Sequence, residues 1–373
     1  DGISELMMLQ DLIHQLDPTR PVTCGMDQIG TVLENGFAAA LDIPGFNYKP
    51  QHYDKAYEKL PQKMILGAET ASTFSSRGIY YWPVIYRGQV LVYHPENQSN
   101  SYDNENASWS NVPDLDFIMD DDKEWMIGQF VWTGFDYLGE PTPYDTDTWP
   151  SHSSVFGIFD LASLPKDRFY LYRSLWNKED HTLHVLPHWN LEGREGKKVP
   201  VYVYTDYPEA ELFVNGVSQG RQRKLTRTEY ESSTDSLALQ KRYRLMWNDV
   251  IYQPGEVKVT AYDENGNPAD EKIIKTAGKP HHLVLSSNRT SMKADDEDLV
   301  YTRKVNFKVS GAGKFRAAAN GDPTCTELFH EPDMTLFSGA LTAIIQSSEE
   351  SGKIVFEAYA KGVKPAKIIL NVE

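Results

Sequence analysis

Cysteine is scarce in this chain of 373 residues: it has two, Cys24 and Cys325, near opposite ends. That excludes a disulfide framework and a cysteine zinc site, and leaves two free thiols. Basic charge is also in short supply, with 37 Lys and Arg against 53 Asp and Glu and a net charge of -16. No basic stripe offsets it, so a nucleic-acid partner is not expected. No apolar run approaches the roughly 20 residues of a membrane helix, and no membrane partner is expected. No dinucleotide glycine fingerprint or phosphate loop follows any candidate strand. His181, His184 and His188 lack carboxylate or cysteine companions at ligand spacing, and the acidic run Asp120 to Asp122 with Glu124 lacks a calcium loop's turn glycine. Strand and linker histidines and a solvated helix start are the expected readings, with no metal and no cofactor.

Aromatic residues, by contrast, are plentiful: 8 Trp, 21 Tyr and 15 Phe. Sugar-binding clefts use such rings, and so do large β-sandwiches. The length asks for two or three domains. Up to about residue 180, strand-like and helix-like segments alternate. Helical spacing covers 3–16 and stops at Asp17-Pro18; strands follow at 22–26, 41–48, 64–69 and 128–137, with helix-like 34–41, 53–60 and 165–176 among them. This alternation predicts parallel α/β architecture, either a doubly wound sheet or a (β/α)8 barrel. From about 181 the texture becomes short alternating segments parted by Asn-Gly, Pro-Gly and Gly-rich turns, which predicts antiparallel sandwiches. The expected domains are therefore 1–180, 181–278 and 279–373.

One segment raises a chemical question. KMILGAET (63–70) reads as a buried strand that ends on a carboxylate, Glu69. An unpaired buried carboxylate is costly, so Glu69 needs a partner, an exposed position or a chemical role. The carboxyl ends of parallel strands are where α/β folds carry their sites. Asp27, Asn47-Tyr48, Glu69 and the stretch Trp132 to Tyr137 all fall at such ends, and Gly67 and Ala68 leave room beside Glu69.

The runs ILGAETASTFSSRG (65–78), GQFVWTGFDYLGEPTPY (128–144) and WPSHSSVFGIFDLASLPKDRFYLYRSLW (149–176) resemble glycoside hydrolase family 2, in particular its bacterial β-galactosidases. HTLHVLPHWN (181–190) and GAGKFRAAANGDPT (311–324) resemble two C-terminal modules of that group. The resemblance implies the C-terminal half of a (β/α)8 TIM barrel followed by two immunoglobulin-like β-sandwich domains. It implies retaining hydrolysis of terminal β-D-galactosyl residues, with Glu69 as the nucleophile that forms a covalent glycosyl-enzyme. Trp132 would be an aromatic wall against the sugar, Asn47 and Asp136 would contact hydroxyls, and Tyr48 would steady the carboxylate. β-Glucuronidase and β-mannosidase are alternatives within the family. A glucuronidase would need a cation near the sugar carboxylate, for which Lys49 and Arg77 are nominal candidates.

The sequence departs from the family in one respect. The acid/base glutamate, which follows an asparagine there, has no counterpart: Asn35 precedes Gly36, and Asn104-Glu105 sits in a long loop. The chain opens DGISELMMLQ, with neither an initiator Met nor a signal peptide's pattern. Together these suggest part of a longer chain, whose N-terminal half is a necessary partner. Alone, it would be a carbohydrate-binding piece without a proton donor. A final module short of one strand and turn between KADDEDLVY and RKVNFKVSGAG is also expected. The expected ligand is an oligosaccharide or glycoside, with homo-oligomers and a periplasmic or secreted location also anticipated.

Overall fold

Four parallel strands hydrogen-bonded in chain order organise the first 180 residues: β1 (Gly25–Met26), β2 (Gly45–Asn47), β3 (Ile65–Thr70) and β4 (Met126–Val131). The computed structural model describes residues 2–84, 94–144, 148–287, 291–292, 297–302 and 305–373. Parallel neighbours need crossover connections. Those here carry α2 (Ile29–Glu34), α3 (Tyr53–Lys59) and α4 (Pro113–Asp122), with α1 (Gly2–Leu16) before the sheet and α5 (Asp167–Trp176) after it. Met26, Ile29, Phe46, Tyr53, Ala56 and Ile65 form the core between sheet and helices. The strands approach closely because glycine allows it: a Cβ on Gly45 would lie 2.7 Å from the Cys24 carbonyl oxygen.

Several local expectations change: only Gly25–Met26 of the strand expected at 22–26 forms, and the strand expected at 128–137 runs Met126–Val131 instead. Residues 34–41 do not form a helix: α2 ends at Glu34, and Gly36 at φ +85° turns the chain before a single 3-10 turn, Ala38–Ala40. The strand expected at 41–48 shortens to β2. The acidic run is a helix end, because Pro113 starts α4 seven residues earlier. Carboxylates at a helix C-terminus oppose the dipole, and here Arg242 compensates by bonding both oxygens of Asp122, at 2.6 and 2.7 Å.

Beyond α5 the chain is antiparallel. Leu183–Leu186, Val201–Thr205 and Leu245–Trp247 form one sheet, facing a second of Glu209–Val214, Val217–Arg223, Glu256–Tyr262 and Pro268–Lys275. Glu209–Val214 and Glu256–Tyr262 each bury every second residue, sending Ala210, Leu212, Val257 and Val259 into a core around Trp189 and Trp247. Two short helices, α6 (Arg227–Ser232) and α7 (Ala238–Tyr243), interrupt this sandwich. A last pair of sheets spans 286–372 around Phe307, Leu341, Ile345, Ile354 and Phe356. The strand and turn expected to be missing there fall around 293–304, largely outside the described residues.

Buried charge joins the first sandwich to the α/β part. Arg244 reaches Asp114 at 2.5 Å with both side chains inaccessible, and the Tyr204 hydroxyl donates to Asp103 at 2.8 Å. Asp103 Oδ1 has no hydrogen-bond partner among the described residues. Burial pushes the Asp103 carboxyl up to about 6, against the lowering pull of Arg168 and Arg244. Folded protein then binds more protons than unfolded chain between about pH 4 and 6. The stability due to this group is accordingly lost as pH rises through that window. Asp103→Asn, neutral throughout, should gain on the wild type by about 2–4 °C in Tm between about pH 4.5 and 7. A shift in the opposite direction would show that the two arginines hold the carboxylate ionised.

Candidate active site

Glu69 occupies the last turn of the pleat in β3, half-buried, and pairs in register with Asn47 of β2. The strand-ending carboxylate does have a partner. Tyr48 donates its phenol to Glu69 Oε2 at 2.8 Å, and its main-chain N–H bonds the Glu69 carbonyl at 2.7 Å. Ser72 donates to the same phenol at 2.8 Å, and the Ser72 N–H is held in turn by Ser110 Oγ at 2.9 Å. The Trp109 indole also reaches the Tyr48 phenol. Burial above all, with the Glu69 charge adding to it, raises the Tyr48 pKa well above the usual phenol range. Tyr48 therefore stays a proton donor to Glu69 at any working pH.

Backbone conformation at these strand ends is unusual. Tyr48 (φ 55°), Lys49 (φ 58°) and Ala71 (φ 49°) are all left-handed without being glycine. Such residues persist where their surroundings over-determine them, and they cluster at sites. Here two hydrogen bonds from Tyr48 to Glu69 and the Lys49–Asp27 ion pair, at 2.6 Å, hold the turn after β2.

Of the remaining expected residues, Asn47 and Trp132 lie at neighbouring strand ends. The Asn47 amide rests over β1, where a Cβ on Gly25 would come within 2.6 Å of its oxygen. That oxygen has no partner among the described residues. Trp132 continues from β4, its N–H bonded to the Thr70 carbonyl at 2.9 Å. Its half-buried indole donates to the Tyr137 hydroxyl at 3.2 Å and meets that ring edge-on. Tyr137 in turn donates to Glu140, and its phenol senses the Glu69 charge.

Asp136 is not part of this group. Its side chain is 2% exposed and bonded to Lys166 at 2.8 Å and to the Gly157 N–H at 2.7 Å. An oxygen so enclosed is not presented to a sugar hydroxyl; the expectation for Asp136 gives way to a buried ion pair that ties together the loops after β3 and β4. Burial pushes the Asp136 carboxyl up to about 6 in spite of the lysine. Arg77 is likewise committed, to Asp160 and to the carbonyls of Asn320 and Phe337. Asn104-Glu105 is buried, with Glu105 bonded to His94 at 2.7 Å.

Sequence reasoning placed Tyr137 only as the end of the stretch from Trp132, and it missed Ser72, Trp109, Lys166 and Arg168. The last two were signalled by the cations of PKDR at the start of α5. Lys166 Nζ donates to the Ser75 and Val155 carbonyls, and Arg168 to those of Thr73, Phe156 and Gly157. Two buried cations thus anchor the segments that follow the strand ends.

Comparison with known proteins agrees with this architecture. Residues 301–369 match the glycoside hydrolase family 2 C-terminal domain 5, and residues 196–269 match a domain of unknown function, DUF4982. A β-galactosidase of Bacteroides ovatus is 34% identical over 98% of this chain and 43% of its own length. A putative β-glucuronidase of Formosa agariphila is 27% identical over 83% of this chain and 31% of its own. The crystal structure of a β-glycosidase from Bacteroides vulgatus superposes with a TM-score of 0.79 at 27% identity, over 99% of this chain and 49% of that one. The chain belongs to glycoside hydrolase family 2. It spans less than half the length of each of these relatives.

Proposed function

We propose that the chain supplies the nucleophile half of a retaining exo-β-glycosidase, with terminal β-D-galactosides as substrate. The observation that carries this reading is Glu69 at the carboxyl end of a parallel strand, accepting a hydrogen bond from Tyr48. In the first step the Glu69 carboxylate attacks the anomeric carbon, the glycosidic C–O bond breaks, and the leaving oxygen takes a proton from a second carboxyl group. Water then attacks the glycosyl ester, returns a proton to that group and frees Glu69. The second carboxyl must stand about 5–5.5 Å from the first, and we place it in the part of the longer relatives that this chain does not span.

On this reading β1 to β4 are the C-terminal half of a (β/α)8 barrel, with domain boundaries near 180 and 278. The apolar surface left bare supports it: Met7, Leu12 and Leu16 of α1 and Ile127 and Phe130 of β4 are all about half exposed or more. Further strands and helices of a barrel would cover such a surface.

A β-glucuronidase is the second reading, favoured by the names of several relatives. Arg77 cannot serve the sugar carboxylate while it holds Asp160, which leaves Lys49, itself paired with Asp27. Turnover of nitrophenyl β-galactoside against β-glucuronide by the full-length protein separates the two. Tyr48→Phe tests the site more locally: kcat on the better substrate should fall about 10²-fold with KM little changed. An unchanged kcat would remove Tyr48 from the chemistry.

A further inference from the structure

The Tyr48 phenol has one proton and three neighbours. Glu69 Oε2 lies 2.8 Å from its oxygen and, as a carboxylate, can only accept. The Trp109 indole, which also reaches the phenol, can only donate. Ser72 Oγ, at 2.8 Å, is the one neighbour whose chemistry allows either direction. Were the phenol to donate to Ser72, its lone pairs would face the Glu69 carboxylate at hydrogen-bond distance, acceptor against acceptor. With Ser72 as donor every group is matched: the phenol oxygen receives Ser72 and Trp109, and its own proton has Glu69 as the remaining acceptor.

Ser72 is itself held in place from several sides. It is fully buried, and Tyr48 is the one hydrogen-bond partner of its hydroxyl among the described residues. Its N–H donates to Ser110 Oγ at 2.9 Å, and its carbonyl accepts from the Ala107 N–H at 3.0 Å. The pairing continues past it: Thr73 bridges to Asn106, and the Phe74 N–H donates to the Glu105 carbonyl at 2.8 Å. Ala71, left-handed at φ 49°, turns the chain out of β3 immediately before Ser72. The Asn- and Ser-rich loop between β3 and α4 thus clamps the main chain on both sides of one buried hydroxyl, and that hydroxyl is spent on a phenol 24 residues away in sequence. Hydrogen bonds in such a chain polarise one another, so a phenol that accepts from Ser72 is a stronger donor to Glu69.

We infer that Ser72 is a positioning residue for the reaction: backed by the 105–110 loop, it fixes the direction of the Tyr48 proton toward Glu69 Oε2. Oε1 is then the oxygen presented to the anomeric carbon, and the charge that returns to Glu69 when the glycosyl ester breaks meets a hydrogen bond already formed. The inference rests on the reading of Glu69 as nucleophile, and its test separates the two.

In the full-length protein, with the better of the two aryl glycosides, Ser72→Ala should lower kcat about tenfold with KM little changed, the effect of one hydrogen bond lost behind the reacting group. Ser72→Cys, close in shape but a weaker donor, should fall between Ser72→Ala and wild type. The deciding measurement is the double variant. Ser72→Ala added to Tyr48→Phe should cost nothing further, because no phenol proton is left to orient. A tenfold loss that recurs in full on the Tyr48→Phe background would make Ser72 a support of the 71–74 segment and overturn the inference. So would an unchanged kcat in Ser72→Ala, or Ser72→Cys no better than Ser72→Ala. If Ser72→Ala is silent while Glu69→Gln abolishes turnover, the inference fails and the catalytic reading stands. If Glu69→Gln turns over like wild type, the catalytic reading fails and takes the inference with it.

Discussion

Glu69→Gln in the full-length protein should lower kcat on nitrophenyl β-galactoside by about 10⁴- to 10⁶-fold, the range seen when a nucleophile is removed. The substitution keeps the size of the side chain and an oxygen for Tyr48 to bond, so folding should be unaffected. What is lost is the ability to form the glycosyl ester. A sharper version uses Glu69→Gly with added azide: the small anion enters the vacated space and attacks the anomeric carbon from the same face. Turnover should partly return, with the product a glycosyl azide of inverted configuration. A fall in kcat of less than about tenfold for Glu69→Gln, or azide-independent residual turnover with retained configuration, would place the nucleophile elsewhere.

The largest expected effect on stability comes from Arg244→Ala. Arg244 and Asp114 are both inaccessible, one in the first sandwich and one in α4, and the guanidinium also donates to Tyr204 at 3.3 Å. Truncation leaves the Asp114 carboxylate buried without its counter-charge, at a cost of about 3–5 kcal/mol. The double variant Arg244→Met with Asp114→Leu removes both charges and should recover most of that loss. Denaturant unfolding of the three proteins, wild type, single and double variant, measures it, through the midpoint of the transition that tryptophan fluorescence reports. A loss under about 1 kcal/mol for Arg244→Ala would mean that water reaches Asp114 as the sandwich shifts.

Much of the site was legible from the chain because its signals are local. A strand that ends on a carboxylate beside Gly67 and Ala68, and a preceding strand that ends Asn47-Tyr48, can be read from neighbours in sequence. Trp109 could not be: it lies 40 positions after Glu69 in an Asn- and Ser-rich loop without periodicity, and only the fold carries it to Tyr48. Asp136 was misread for a related reason. The resemblance implied a hydroxyl contact for it, whereas its partner, Lys166, is 30 residues away and buried. Pairings at that separation leave no pattern in the intervening residues. Element ends moved where single residues decide them, as at Gly36 and Pro113, because a positive φ or a missing N–H overrides the propensity of the segment around it.

Arg77 gives the last sandwich an attachment of a particular kind. One side of its guanidinium is neutralised by Asp160, and the other donates to the main-chain oxygens of Asn320 and Phe337, both at 2.9 Å. Every residue has a carbonyl oxygen, so these two bonds read the path of the backbone and not the identity of the side chains on it. Gly321 is the exception, since a Cβ there would come within 2.0 Å of the Asp160 carboxylate. The loop is held by side chains as well: Asp322 accepts from Gln98 at 2.9 Å, and the Phe337 ring lies against the Arg77 guanidinium. A terminal module exchanged for another must therefore bring the same backbone route to Arg77 and, beside it, an acceptor for Gln98.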